Sequence, residues 1–170
     1  MKRSIALAVT VGWLLSGHPA WAQKDEAKEH AELAKALGAA RVSVQTGLSA
    51  SATAGTPISA KYEVEDGKLQ LSVYTKKGPG FSEVIVNHSN GKVAKTESIT
   101  SGDDLTAAKA QGEAMAKAKR SLRTVADQAA KANKGYRVVS VIPALKEGHP
   151  VAEVTLVKGE EFKVVPEKLD

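Results

Sequence analysis

Apolar residues recur along this chain in two rhythms, one every three to four positions and one every second position, in the order helix, strands, helix, strands. Over residues 24 to about 50, a stretch rich in Ala, Glu and Lys, Leu33, Leu37, Val44 and Leu48 fall on one face of a helix, with Gly38 a candidate break. Residues 49–57 (SASATAGTP) hold Gly55 and Pro57 and end it. Residues 58–65 then read as a strand, and Asp66-Gly67 supplies the two-residue turn of a tight hairpin. Next, Leu69, Leu71 and Val73 point to one side and Lys68, Gln70 and Ser72 to the other, the signature of a half-buried strand. Residues 77–80 (KGPG) turn the chain, 81–86 form a third strand, and Asn90-Gly91 opens a short fourth one through Val93.

The same order returns. Residues 100–104 (TSGDD) combine turn residues with candidate caps, and a long helix is expected from about 105 to 133. Met115, Ala118, Leu122, Val125, Ala129 and Ala132 trace its apolar face, and Lys134-Gly135 stops it. Strands follow at 136–142, 151–157 and 161–165, with turns at 147–150 and 158–159. Gly55 and Gly135 are 80 residues apart, while Gly67 to Gly148 and Gly78 to Gly159 are each 81, with like elements between. The expectation is an α+β protein made of two repeats of a helix followed by an antiparallel three- to four-stranded meander, the sheet packed on the helix. The units are 23–99 and 100–170.

The amino terminus changes where this fold is expected to work. Lys2 and Arg3 precede an uncharged apolar run, residues 5–15, and residues 16–19 break any helix. Ala20-Trp21-Ala22 sets small residues at the two positions a signal peptidase reads. Residues 1–22 therefore read as a signal peptide cut between Ala22 and Gln23, and the protein as periplasmic or secreted. The run is shorter than the roughly 20 residues needed to span a bilayer, so no transmembrane anchor is expected after cleavage. With no cysteine in the chain, neither a lipid-anchored leader nor a disulfide is available. Losing Lys2 and Arg3 lowers the basic residues from 24 to 22 against 19 acidic ones, a net of +3. Both tryptophans leave with the leader, so the basic, aromatic surface of a nucleic-acid binder is not expected.

The first unit resembles the PepSY family of small exported modules. The likeness is carried by residues 58–67 (ISAKYEVEDG), 69–74 and 83–93 (EVIVNHSNGKV), the last similar to the family's strand running into an Asx-x-x-x-Gly-x-Val turn. The second unit keeps the helix and residues 136–142 and 151–157, but lacks the closing turn after Phe162. The resemblance implies a sheet wrapped against its helix, in a module that restrains or assists a peptidase in metalloprotease propeptides.

Candidate chemistry is sparse. His30, His88 and His149 have no spacing that places two ligands on one helix face, so no metal and no cofactor are expected. All three are read as exposed, His30 on a helix and the others in turns. There is no GxSxG elbow for Ser121 or Ser140, and a Ser, His and Asp triad would have to assemble in space. Of the acidic pairs Asp25-Glu26, Asp103-Asp104 and Glu160-Glu161, the second is read as a helix cap. Gly78-Pro79-Gly80 is a hairpin turn, not a phosphate loop. Lys109, Lys117, Lys119, Arg120 and Arg123 make a locally basic helix, read as a solvated face. The feature most suited to a function is the pair of strand edges a meander leaves free, to which an extended peptide can add. A non-enzymatic periplasmic binding module is expected, regulating or inhibiting a peptidase or another envelope protein. A binder of a small ligand or of the envelope surface is the alternative.

Overall fold

Runs of Val, Ile, Leu and Tyr alternating with polar residues give a sheet one apolar face, and that face must find helices to cover it. The computed structural model describes residues 20–170, with side chains from residue 27 onward. The expected leader lies outside the described residues except for Ala20, Trp21 and Ala22, which with Gln23 form the first backbone turn of helix α1 (Ala20–Ala36).

A one-turn 3₁₀ helix (Leu37–Ala39) follows, then α2 (Val44–Ser51), β1 (Thr56–Glu65), β2 (Lys68–Lys77), β3 (Gly80–Val86) and β4 (Val93–Ile99). The second half holds α3 (Gly102–Lys117), α4 (Leu122–Ala132), β5 (Arg137–Lys146), β6 (His149–Lys158) and β7 (Glu161–Lys168). The fold is α+β; the described residues form four α-helices and one antiparallel sheet of seven strands in the order β4-β3-β2-β1-β5-β6-β7. The sheet is thus larger than a three- to four-stranded meander, because β1 and β5 pair at its centre, Ala60 opposite Val141 and Lys61 opposite Ser140.

Two sequence expectations are corrected and a third is met. The helix read over 24 to about 50 breaks at the candidate Gly38, in the 3₁₀ turn, and does not resume until Val44; between, the amides of Arg41 and Val42 both donate to the His88 carbonyl, at 2.9 and 3.0 Å. The long helix expected over 105–133 is two helices, broken where Lys119 and Arg120 donate to the Leu169 carbonyl at 2.7 and 3.0 Å. Each following helix restarts on a serine cap: Ser43 Oγ accepts from the Thr46 amide and Ser121 Oγ from the Thr124 amide, both at 3.1 Å. The fourth strand begins at Val93 rather than ending there, residues 87–92 being the turn before it.

The hairpin turns are where the sequence put them. Asp66 and Gly67 take φ of 50° and 73°, and Glu147 and Gly148 take 52° and 84°, the double positive φ that suits a two-residue hairpin. β1 bulges between Pro57 and Ser59 against β2, and β5 between Val138 and Ser140 against β6.

One face of the sheet carries the core. Ala60, Tyr62, Leu71, Val73, Val84 and Val86 from one half join Val141, Ala152, Val154 and Leu156 from the other, under Val44 and Leu48 of α2 and Leu122, Val125, Ala126 and Ala129 of α4. Each fully buried Val or Leu contributes about 1.5–3 kcal/mol, which lets a chain without disulfides hold together. On the opposite face α3 covers only one end, where Ala108 and Met115 meet Ile58, Tyr74, Phe81 and Ile99. Much of the remainder of that face carries polar and charged side chains, with Ile85 and Val164 among them.

Candidate functional site: the open face and the free edges of the sheet

Register decides what the open face presents. A row crosses all seven strands as Lys95, Ile85, Ser72, Lys61, Ser140, Thr155 and Val164, from β4 to β7. Beside it Glu97 sits opposite Glu83 and Glu83 opposite Tyr74, so carboxylates gather on the β3–β4 side. Three lysine–carboxylate pairs neutralise much of the charge: Lys61–Glu63 at 2.6 Å, Lys95–Glu97 at 2.8 Å and Lys146–Glu153 at 2.8 Å.

Glu83 is the perturbed acid of this face. Burial raises its carboxyl above the usual 4.5, with Glu63 and Glu65 adding to the rise and a hydrogen bond from Ser72 and the charge of Lys61 opposing it. The folded protein therefore holds this proton more tightly than the unfolded chain. That contribution to stability is complete below 4.5 and is lost as pH rises through the folded value. Glu83→Gln is expected to melt higher than the parent protein at neutral pH and to lose the advantage in acid. Equal melting temperatures at neutral pH would contradict the assignment.

Asp103 and Asp104 lie in the first turn of α3, where their charge suits the positive helix end, but no side chain caps it. The capping assignment is corrected accordingly: Asp104 Oδ1 instead accepts the Tyr74 hydroxyl at 2.6 Å, and burial together with this carboxylate pushes the tyrosine far above its usual range. Ser59 Oγ donates to Gln111 Oε1 at 2.7 Å, so two polar bonds fix α3 over its end of the face.

The histidines stay apart. His30 is half-buried rather than exposed, its ring stacked on Phe162 of β7 at 4.2 Å between centroids. His88 reaches the Ser89 hydroxyl at 3.4 Å, and His149 reaches the Asp170 carboxylate at 3.4 Å; neither reaches both a serine and a carboxylate. Ser121 is the α4 cap and Ser140 is buried at the β5 bulge. Among the described residues no group of three His, Asp or Glu side chains is placed to hold a metal. Asp25 and Glu26 lie in α1 with side chains outside the described residues, and Glu161 accepts the Tyr136 hydroxyl at 2.6 Å. Gly78-Pro79-Gly80 turns β2 into β3 as expected.

The basic set divides. Arg120 donates to the Lys168 carbonyl at 2.7 Å and to Gln128, and Arg123 donates to Ser49 Oγ at 2.6 Å, which ties α4 to α2; Lys109, Lys117 and Lys119 are exposed. No described helix is long and apolar enough to cross a membrane.

Among the described residues the sheet's two edges are β4 and β7. Pro166 lies within β7 and removes one backbone donor, and the chain beyond it is tied down by the buried Leu169, whose amide donates to the Pro150 carbonyl at 3.0 Å. β4 has no proline, its residues 93–96 are all exposed, and Val93 at its start is 40% exposed. Sequence reasoning foresaw free edges but stopped the strand at the residue where β4 begins.

No family model matches this chain, and neither the curated proteins nor the solved structures compared with it gave a significant match.

Proposed function

We propose that this protein is a non-enzymatic, PepSY-like binding module of the cell envelope that captures an extended segment of a partner, such as a peptidase, along the free edge of β4. The carrying observation is that edge itself: a proline-free terminal strand, exposed over residues 93–96, backed by a rigid antiparallel sheet. Every second residue of such an edge turns its backbone N–H and C=O outward, and an incoming strand satisfies them.

The same reading takes the chain as two related units, 23–99 and 100–170. Support comes from features that recur at 81 residues: the turns at Asp66-Gly67 and Glu147-Gly148, the bulges in β1 and β5, and the acceptors His88 and Leu169. Ala60 and Val141, also 81 apart, face each other across the central pair, as two like units joined about a two-fold axis require. Packing the halves this way consumes β1 and β5 and leaves the outer strand β4 for a partner. The leader over residues 1–22 would deliver the module to the periplasm or beyond.

Photo-crosslinking groups placed singly at Ala94, Thr96 and Ser98, with Gln128 on α4 as control, test capture in the producing cell. Adducts with another protein from the β4 positions and none from Gln128 are the expected result. Adducts to other proteins that are as strong from Gln128 as from β4, or absent from all positions, would sink the proposal.

A further inference from the structure

The sequence of β4 is complementary to itself. It reads Val93-Ala-Lys-Thr-Glu-Ser-Ile99, and Lys95 and Glu97 flank Thr96 on the open face of the sheet, opposite Ile85 and Glu83. We propose that two copies of this protein associate edge to edge through β4, antiparallel, about a two-fold axis at Thr96, joining two seven-stranded sheets into one.

In that register Lys95 lies opposite Glu97 of the partner subunit, and Glu97 opposite Lys95 of the partner subunit. Thr96 meets its own copy, Ala94 meets Ser98 of the partner subunit, and the exposed Val93 is brought alongside the other strand's Ser98–Ile99 end. Opposite charges and threonine pairs directly across an antiparallel ladder are favourable, whereas like charges there are not. The charges also select the register. An axis at Lys95 or at Glu97 would set that residue against its own copy, two like charges at ladder distance, so only the axis at Thr96 matches every charge. Within one chain Lys95 and Glu97 already form a 2.8 Å ion pair, so the two-fold brings two such pairs into an alternating quartet of charges.

A two-fold contact closes on itself and stops at two copies. The competing arrangement, β4 of one copy on β7 of the next, would grow an open filament, and Pro166 and the anchored Leu169 oppose it. The contact is one strand wide, which places it in the weak, transient size class. The association needs only the chain itself; it covers the edge that a captured peptide would use, so the two compete for β4.

Analytical ultracentrifugation of the purified protein from about 10 μM to about 1 mM tests it, the upper limit matching a free energy of about 4 kcal/mol. A reversible monomer–dimer equilibrium is expected in this range. Lys95→Glu and Glu97→Lys are each expected to weaken it at least tenfold, because every opposed pair becomes like-charged, with circular dichroism confirming that each variant is folded. An equimolar mixture of the two variants should dimerise again, since Glu at 95 then faces Lys at 97 and Lys at 95 faces Glu at 97. A protein monomeric throughout, a dimer indifferent to both substitutions, or a mixture that stays monomeric would each overturn the proposal. None of these results bears on crosslinking of β4 to a different protein, so self-association and capture fail separately.

Discussion

Arg137→Ala is expected to lower the unfolding free energy by about 2–4 kcal/mol. Arg137 opens β5, yet its guanidinium reaches the connection between α1 and α2. Nη1 donates to the carbonyls of Leu37 and Ala40 at 3.2 Å each, and Nη2 to that of Val42 at 2.8 Å. The group lies over the Tyr62 ring at 5.2 Å, and the Tyr62 hydroxyl donates to the same Val42 carbonyl at 2.6 Å. The Leu37 carbonyl also accepts the Ala40 amide at 3.1 Å and the Val42 carbonyl the Tyr62 hydroxyl, so removing Arg137 takes a charge-assisted bond from each of these and the donor from the Ala40 carbonyl at the helix break. Urea unfolding gives the loss. Lysine at this position keeps the charge but lacks the planar fork, so Arg137→Lys should recover less than half of it. A loss under about 1 kcal/mol for the alanine variant would show that the connection is held by something else.

The second large effect belongs to the contact between α2 and the sheet. Leu71 is fully buried in β2, opposite Tyr62 and Val86, and Leu71→Ala should cost about 3–5 kcal/mol from lost burial and the cavity left behind. The leucine lies under Gly47 of α2, where a methyl group would stand 2.7 Å from Cδ2 and 3.2 Å from Cγ. Gly47→Ala alone should therefore destabilise by about 1–3 kcal/mol through overpacking, despite alanine's better helix propensity. In the Leu71→Ala background the same methyl enters vacated space, and the double variant should be more stable than the sum of the single effects by about 1 kcal/mol or more. Strict additivity in chemical denaturation would show that helix and strand do not meet as described.

Much of the local structure was legible before any contact was known. Asp66-Gly67 and Gly78-Pro79-Gly80 announce their turns because few residues accept the backbone those turns need. The alternation of Leu69, Leu71 and Val73 announces β2 because one side of that strand is core and the other is not. The helix break at 118–121 was hidden for an equally physical reason: Met115, Ala118 and Leu122 pack against the same core on either side of it, so the apolar rhythm runs through unbroken. What bends the chain there is the carbonyl of Leu169, some fifty residues onward. The fourth strand was expected but ended at Val93, where β4 begins, because an edge strand exposed along most of its length owes little to burial and leaves no hydrophobic pattern to mark its extent.

The candidate site follows the same division. The ingredients of the β4 edge, Lys95-Thr96-Glu97, stand in plain view in the sequence, but nothing local says that this segment pairs with β3 on one side and, among the described residues, with no strand on the other. Arg137 reads as the first residue of a strand, and only the fold carries it to three carbonyls from residues 37–42. By itself the sequence determined which residues could turn, which could bury and in what order helices and strands follow, since those depend on backbone sterics and on side chains spaced a few positions apart. Tertiary structure decided that the two halves share one sheet, where the helices break and which edge stays open, because each of those rests on hydrogen bonds and packing between residues far apart in the chain.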